Sequence, residues 1–304
     1  MNTILIILCS LLGALILWGV CDSVYDTTTY RVTSYELASP KIKKEFRFVV
    51  LSDLHNKKFG KNNAKLIAGI RRLHPDAVMV AGDMLTAAEG ADVSGMVHLL
   101  AELAKDYPVY YGLGNHEEKI GRKTERYGSM YADYMAQLAD AGIRPLINEK
   151  RTLSEYGISV CGLQIESKYF KRFGLLPMCR EDLQKLIGVP ERDKYQILIA
   201  HDPDYFPQYA DWGADLVLSG HNHGGIIGVP FLGGLLSPRC ILFPKYDGGR
   251  FDEGQATLLL SRGLGTHTIP VRILNHAELL YVTCRPQRQE QRGADSAGRQ
   301  DPVQ

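Results

Sequence analysis

Five short apolar runs of the chain each end directly in a cluster of Asp, His or Asn side chains. This arrangement constrains the fold more than any other feature of the sequence. The runs occupy residues 46–51, 77–81, 109–111, 195–200 and 215–219. Runs of this length that are rich in β-branched residues are typical of buried strands. Helical patterns lie between the first three runs, so the sequence predicts an α/β core with parallel pairing in this half.

The remaining elements follow from shorter patterns. Asn62 is expected to cap a helix whose apolar face carries Leu66, Ile67, Ile70 and Leu73. We expect two more helices and five further strands or hairpin arms, with the helices at residues 95–105 and 125–141, strands at 28–37, 257–260 and 278–283, and a hairpin over 151–164 that turns at Tyr156-Gly157. No repeat or long linker divides the chain, so we expect one catalytic domain over residues 41–285.

The N-terminus carries 17 residues without a charge, from Ile4 to Val20. A cleaved signal peptide would need a basic residue before this run and a small residue near the cut. The first basic residue is Arg31, and Val20 is not small. We therefore favour a retained single-pass membrane anchor at residues 3–21, followed by a leading segment at 22–40, while the side of the membrane stays open. Residues 286–304 contain almost no apolar side chains and predict a disordered tail.

Composition limits the classes of partner. The 35 basic and 34 acidic residues leave a net charge of +1. No overall basic field is available to hold nucleic acid, so none is expected as a partner. Two of the six cysteines, Cys9 and Cys21, lie in or beside the apolar run, and the other four are far apart without a C-x-x-C pair. These four, Cys161, Cys179, Cys240 and Cys284, predict isolated buried thiols rather than a thiolate zinc site or a disulfide framework.

The polar clusters carry the chemistry. They are Asp53-Leu54-His55, Gly82-Asp83, Gly114-Asn115-His116-Glu117, His201-Asp202 and Gly220-His221-Asn222-His223. The carboxyl ends of parallel strands meet at one edge of a sheet, so these side chains are expected to converge. Carboxylate, imidazole and amide oxygen suit divalent Mn, Fe or Zn. The ligands are too many for one ion, and two ions about 3.5–4 Å apart that share a carboxylate would use them all.

This order of motifs resembles that of the calcineurin-like metallophosphoesterase family over about residues 46–270. The resemblance implies a two-sheet β-sandwich flanked by helices. It implies a first divalent ion held by Asp53, His55, Asp83 and His223. It implies a second ion held by Asp83, Asn115, His201 and His221, with Asp83 as the bridge. His116 would not be a ligand but would face the phosphate, where it would stabilise charge or protonate the leaving oxygen.

One position departs from the family pattern. Many members carry an acid three residues after the bridging aspartate, where it is thought to orient the catalytic histidine. Here that residue is Thr86. Glu117 and Asp202 are then the candidate partners of His116.

Further features resemble a bacterial membrane-associated subgroup that includes enzymes acting on UDP-2,3-diacylglucosamine. They are the apolar N-terminus, His201-Asp202-Pro203, His223-Gly224-Gly225 and Ser261-Arg262-Gly263-Leu264-Gly265. Residues 231–236 either line a lipid-binding groove or dip towards the bilayer, or they form ordinary core and turn, which we favour. Arg262 and His267 either contact substrate phosphate or lie on a solvated loop.

The sequence thus predicts a membrane-anchored, two-metal phosphoester hydrolase. A phosphodiester or pyrophosphate, lipid-linked or nucleotide-linked, is the first expected substrate class. A phosphomonoester or phosphoprotein is the second. A non-catalytic scaffold with the same fold is the alternative from another class, and it is disfavoured because all seven ligand positions and His116 are present. The sequence leaves the oligomeric state open.

Overall fold

A computed structural model of the protein describes residues 2–170, 174–266 and 270–287. The helices of these residues are α1 Asn2–Thr28, α2 Ala64–Leu73, α3 Ser94–Ala104, α4 Asn115–Arg122, α5 Thr124–Tyr127, α6 Met130–Asp140, α7 Arg180–Ile187 and α8 Phe206–Trp212. The strands are β1 Tyr30–Ser39, β2 Phe46–Leu51, β3 Ala77–Ala81, β4 Val109–Gly112, β5 Glu149–Leu153, β6 Ile158–Leu163, β7 Tyr195–Ala200, β8 Leu216–Ser219, β9 Gly228–Val229, β10 Gly233–Gly234, β11 Gly249–Glu253, β12 Ala256–Leu260 and β13 Ala277–Pro286.

The strands form two main sheets. The first has the order β1-β13-β2-β3-β4, and β2, β3 and β4 are parallel, as predicted. The second has the order β11-β12-β8-β7-β6-β5, in which β12, β8, β7 and β6 are parallel. The predicted hairpin is the antiparallel pair β5–β6. β9 and β10 make a separate two-stranded ribbon.

Three apolar layers hold the sheets and helices together. Alternate residues of both sheets, such as Val50, Met79 and Ile197, face each other in a central core. The outer face of the first sheet packs against α2, α3 and α6 through residues that include Val49 and Leu99. The outer face of the second sheet packs against α7 and α8, where Trp212 is fully buried. The expected two-sheet sandwich flanked by helices is therefore confirmed.

Two local predictions about helices are wrong. Asn62 does not cap α2; the residue before the helix is Asn63, whose Oδ1 accepts a hydrogen bond from the backbone N–H of Phe59 at 2.9 Å. The helix expected over 125–141 is divided into α5 and α6. Gly128 lies between them with φ of 58° and ψ of −134°, a conformation that only glycine adopts readily, so the helix ends there.

The N-terminal helix α1 is long and apolar enough to cross a membrane, and its apolar side chains are exposed along its length. It ends at Thr28, seven residues beyond the expected end of the anchor at residue 21. β1 begins at Tyr30 and pairs in parallel with β13. Most of the tail predicted over residues 286–304 lies outside the described residues.

Candidate metal centre

The five polar clusters lie together because β2, β3 and β4 of the first sheet and β7 and β8 of the second end at the same edge of the sandwich. The structure brings their imidazoles and carboxylates into three groups in which all candidate ligand atoms lie within 4.8 Å of one another. The groups are Asp53, His55 and His223; His55, Asp83 and His116; and Asp83, His201 and His221. All seven residues are buried.

The backbone of these loops is strained. Five of the predicted ligands have a left-handed φ, and they are Asp53, His55, Asp83, His221 and His223. Side chains other than glycine rarely adopt this conformation, which costs of order 1–3 kcal/mol per residue and persists only where surrounding contacts enforce it. The loops are therefore shaped to aim these side chains at one point.

Asp83 stands at the centre of the cluster. Its Oδ2 lies 3.1 Å from Nε2 of His201 and 3.9 Å from Nε2 of His55. Its other oxygen, Oδ1, accepts the backbone N–H of His116 at 2.8 Å. One carboxylate thus faces imidazoles from both sheets, which is what a shared ligand of two ions requires.

A second set of contacts surrounds Asp53. Nε2 of His223 lies 3.4 Å from Oδ1 of Asp53 and 3.1 Å from Nε2 of His55. Atoms that bind one ion at about 2.0–2.1 Å have neighbours at about this spacing. Both oxygens of Asp53 also accept the backbone N–H of His221, at 3.0 and 3.2 Å, which ties the first-sheet loop to the second-sheet loop.

The remaining candidate ligands are oriented by their own partners. Nδ1 of His221 lies 2.8 Å from Oδ1 of Asn115. Nδ1 of His201 lies 2.6 Å from the carbonyl oxygen of Ala81, so it carries the proton and leaves Nε2 to face Asp83. A carbonyl that fixes the tautomer of a ligand in this way is common in metal sites.

His116 has a partner that sequence reasoning did not find. Its Nδ1 accepts the backbone N–H of Ala87 at 2.8 Å, and its Nε2 lies 4.0 Å from Oδ2 of Asp83. The Ala87 backbone thus contacts one ring nitrogen of His116. The two expected partners are engaged in other contacts, Glu117 with backbone N–H groups and Asp202 with Arg239.

Glu117 accepts hydrogen bonds from the backbone of the first-sheet loops. Its Oε2 accepts the backbone N–H groups of Asp83 and Gly114, each at 2.9 Å. Its Oε1 accepts the N–H of Leu85 at 2.9 Å and the hydroxyl of Tyr111 at 3.2 Å. Glu117 therefore positions the loop that carries Asp83. The acid in the G-N-H-[ED] motif was visible in the sequence, but its partners were not.

Burial and neighbouring charges shift the pKa values of these groups in opposite directions. Burial alone would raise the pKa of Asp83, but the imidazoles of His201 and His116 hold it well below its usual range. Burial alone would lower the pKa of His201, but Asp83 and Asp53 raise it to about 10. Burial raises the pKa of Asp53 to about 6. The acids and imidazoles thus stabilise each other, and their donor set of oxygen and nitrogen fits divalent ions.

Glycine is required where the loops touch. A methyl group on Gly114 would overlap Oδ1 of Asp83, and one on Gly220 would overlap Oδ2 of Asp53. Neither clash is with the end of a flexible side chain that can move away, because both carboxylates are themselves held by hydrogen bonds. The glycines of the motifs thus serve the close approach of the loops.

Three residues without a recognised motif support the second-sheet loops. Nδ2 of Asn275 donates to the carbonyl oxygen of His223 at 2.7 Å. The guanidinium of Arg239 is buried and pairs with Asp202, directly after His201. The ring of Phe170 packs edge-on against His221. They come from distant parts of the chain, and the sequence offered no signal that would have selected them.

The sequence singled out Arg262 and His267 for contact with substrate phosphate. Arg262 packs beside Gly248 and its backbone N–H donates to Glu278 at 3.0 Å. Contact of its side chain with substrate stays a prediction. His267 lies outside the described residues.

Comparison with known proteins agrees with this geometry. The chain is 27% identical to a Caenorhabditis elegans protein named as a metallophosphoesterase, F40B5.2, over 77% of this chain and 47% of that protein. It is 27% identical to an uncharacterized metallophosphoesterase of Campylobacter jejuni, Cj0846, over 84% of this chain and 64% of that protein. It is 24% identical to the phosphodiesterase YaeI of Escherichia coli, over 73% of this chain and 76% of that protein.

The chain thus spans about half to two thirds of the length of the first two relatives. The family model of calcineurin-like phosphoesterases matches residues 46–225, which is more than half of the 304 residues. That range contains every residue of the three ligand groups. The chain therefore belongs to the calcineurin-like phosphoesterase family.

Proposed function

We propose that the protein is a membrane-anchored hydrolase of phosphodiester or pyrophosphate bonds that works with two divalent ions. The observation that carries the proposal is the position of Asp83, whose carboxylate belongs to two of the three ligand groups. Asp53, His55, Asp83 and His223 would hold the first ion. Asp83, Asn115, His201 and His221 would hold the second. The oxygen and nitrogen donors admit Mn, Fe or Zn.

When bound, the two ions polarise the phosphoryl oxygens and lower the pKa of an attacking water. The protein's own residues supply the remaining requirements. Because Nδ1 of His116 accepts the Ala87 N–H, the neutral imidazole carries its proton on Nε2. This N–H can donate a hydrogen bond to the leaving oxygen of the substrate and stabilise its developing charge. Burial lowers the pKa of His116, which favours this neutral form.

Two observations favour a diester or pyrophosphate near a membrane. The Escherichia coli relative YaeI is named as a phosphodiesterase. The apolar helix α1 continues into the strand that pairs with β13 of the first sheet, so an anchored protein would hold its metal centre close to the bilayer. A lipid-linked or nucleotide-linked substrate is consistent with both. A scaffold without activity is less consistent with the site, because six of the seven predicted ligands belong to the three ligand groups and the seventh, Asn115, contacts His221.

The test is hydrolysis of a chromogenic phosphodiester and a chromogenic phosphomonoester by the full chain in detergent with Mn²⁺. We expect a preference for the diester. Asp83→Asn should reduce turnover at least about a hundredfold, because it removes charge from the shared ligand. Asp252→Asn makes the same change at an exposed residue of β11 and should leave turnover unchanged.

Each alternative has its own result. Full turnover after Asp83→Asn would show that Asp83 does not bridge two ions. A preference for the monoester would place a phosphomonoesterase or a protein phosphatase first. Absence of turnover together with absence of bound metal would support the scaffold.

A further inference from the structure

The loop that follows His223 carries an exposed apolar surface that the metal centre does not use. Residues 226–244, here called the late loop, contain one charged residue, Arg239. Its guanidinium is buried between Asp202 and Asp204, with 2.7 Å between its Nε and Oδ2 of Asp204. The accessible surface of the late loop therefore carries no charge of its own.

Five large apolar side chains of the late loop are exposed to solvent. Phe231 at the turn between β9 and β10 is fully exposed, and Leu232 beside it is 65% exposed. Ile241, Leu242 and Phe243 are 47%, 64% and 47% exposed. Of residues 231–236, expected to form ordinary core and turn, Phe231 and Leu232 lie in a turn with their side chains exposed. Contiguous exposed apolar surface of this kind marks a site of interaction with a protein or a membrane.

The two exposed parts of the late loop belong to one layered structure. The N–H of Leu235 donates to the carbonyl of Ile227 at 2.8 Å, and the N–H of Phe243 donates to the carbonyl of Leu235 at 3.0 Å. Leu236 and Leu242 form an antiparallel bridge. These backbone bonds join the turn at Phe231 to the segment at 241–243, so their apolar side chains are held as a unit.

This unit is joined to the end of α1. Ile227 bridges Ile273, and the N–H of Gly228 donates to the carbonyl of Ile273 at 2.8 Å. Ile273 reaches Gly19, inside the apolar run of α1: a methyl group on Gly19 would lie 3.9 Å from its Cδ1. The late loop is thus separated from the apolar part of α1 only by residues 273–274, and Leu274 is itself exposed.

Polar contacts fix the end of α1 to the same segment. Oδ2 of Asp22 accepts the backbone N–H of Leu274 at 2.8 Å, and Oδ2 of Asp26 accepts that of Asn275 at 2.7 Å. Oδ1 of Asp26 lies 2.6 Å from Nδ1 of His276. Several polar contacts, rather than a free linker, attach α1 to residues 274–276. The depth of its apolar run in a membrane would therefore set the depth of the late loop.

We propose that Phe231, Leu232, Ile241, Leu242 and Phe243 insert into the bilayer interface beside α1. The inference rests on the proposed anchoring of α1 in the membrane. A bilayer suits this surface because the surface is apolar and carries no charge. The surface also lies beside the end of the apolar run of α1. Apolar faces of this kind enter about 5–10 Å into the headgroup and acyl boundary. Insertion would hold His223 and the metal centre at the bilayer surface.

The test measures the depth of an introduced indole. The full chain carrying Trp18→Phe is reconstituted in phosphatidylcholine vesicles with or without brominated acyl chains. Phe231→Trp is added in one protein and Leu242→Trp in a second. Val189→Trp, at a position 66% exposed next to α7, is the matched control. Trp212 is buried in the core and gives a constant background.

We expect brominated lipid to quench the indoles at positions 231 and 242 at least about twofold more than the control indole, as interfacial burial requires. Equal quenching at all three positions, with access for aqueous acrylamide, would show that the surface faces water. No quenching by either agent would show that protein, such as a second copy, covers it. Both results overturn the proposal. The readout needs no turnover, so its failure and the failure of the proposed hydrolase are separate results.

Discussion

The two sheets hold their parts of the metal centre in different ways. In the first sheet, one side chain, Glu117, accepts the N–H groups of Asp83, Leu85 and Gly114. Glu117 belongs to the same motif as Asn115 and His116, so the support lies within the motif. In the second sheet, the loops of His201 and His223 depend on side chains from far along the chain, which are Arg239 and Asn275.

The difference shows how independent the two halves of the site are. The first-sheet loops are held by residues that any chain with the same motif would carry. The second-sheet loops are held by the late loop and, through Asp26 and Asn275, by the end of α1. A change at the end of α1 can therefore reach His223 through Asn275. Variants in each half test whether the two sheets support the metal centre differently.

Gly220→Ala should have the largest effect, because it acts at the contact between the two halves. The new methyl group would overlap the carboxylate of Asp53 and the hydroxyl of Ser52. We expect loss of bound metal and of at least about a hundredfold in turnover. Metal content of the purified full chain and turnover of the diester measure it. Gly13→Ala in α1 is the control, since its methyl group meets no atom within 4 Å and its φ is not left-handed. Normal metal content in Gly220→Ala would show that the loops can separate.

Glu117→Ala should damage the first-sheet half. It leaves three buried N–H groups without their acceptor, at about 1–3 kcal/mol each. We expect the affinity for Mn²⁺ to fall about tenfold to a hundredfold. Titration of Mn²⁺ into the metal-free full chain measures it. Glu118→Ala at the neighbouring position, where Glu118 pairs with Arg122, is the control. If both variants bound Mn²⁺ equally, Glu117 would not position the loop.

Arg239→Met should destabilise the second-sheet half. It leaves Asp202 and Asp204 buried without their partner, which costs about 3–5 kcal/mol of unfolding free energy. Denaturation of the full chain in detergent measures it. Arg250→Met is the matched control, because Arg250 pairs with Asp252 at the surface and such pairs contribute about 0–1 kcal/mol. An equal loss in both variants would contradict a special role for the buried pair.

Asn275→Ala should weaken metal binding more mildly, since it removes one donor to the carbonyl of His223. We expect about a tenfold loss of Mn²⁺ affinity, and about twofold for Asp26→Asn, which acts one step further away. The same Mn²⁺ titration measures both. A larger loss for Asp26→Asn than for Asn275→Ala would refute transmission from α1 through Asn275.

Thiol labelling should show the smallest difference between the halves. Cys284 in the first sheet and Cys161 in the second are both buried, and burial raises the pKa of each thiol to about 12. At pH 8 only about one in ten thousand of such thiols is the reactive thiolate. The prediction of buried thiols is wrong for Cys179 and Cys240, which are exposed. Maleimide should therefore label Cys179 and Cys240 but spare Cys161 and Cys284. Labelling of Cys161 alone, read by mass spectrometry, would show that the second sheet opens more readily.

Sequence reasoning recovered the ligand-bearing strands because their signals are local. The apolar runs that became β2, β3, β4, β7 and β8 are each shorter than seven residues and end in their polar cluster. The sequence did not reveal that the helix expected over 125–141 breaks at Gly128, or that Asn62 does not cap α2. A single backbone conformation decided each of these features. Helix α4, which begins at Asn115, went unseen because its residues were considered only as a motif.

By itself, the sequence predicted the type of chemistry and the order of the candidate ligands, since both depend on residue identity and on patterns within a few positions. The tertiary structure decided which atoms meet. The partner of His116 is the backbone of Ala87, and the support of His223 is Asn275. The tertiary structure also decided that Phe231 is exposed. These contacts join residues that are far apart along the chain, and their geometry exists only once both sheets and α1 are packed together.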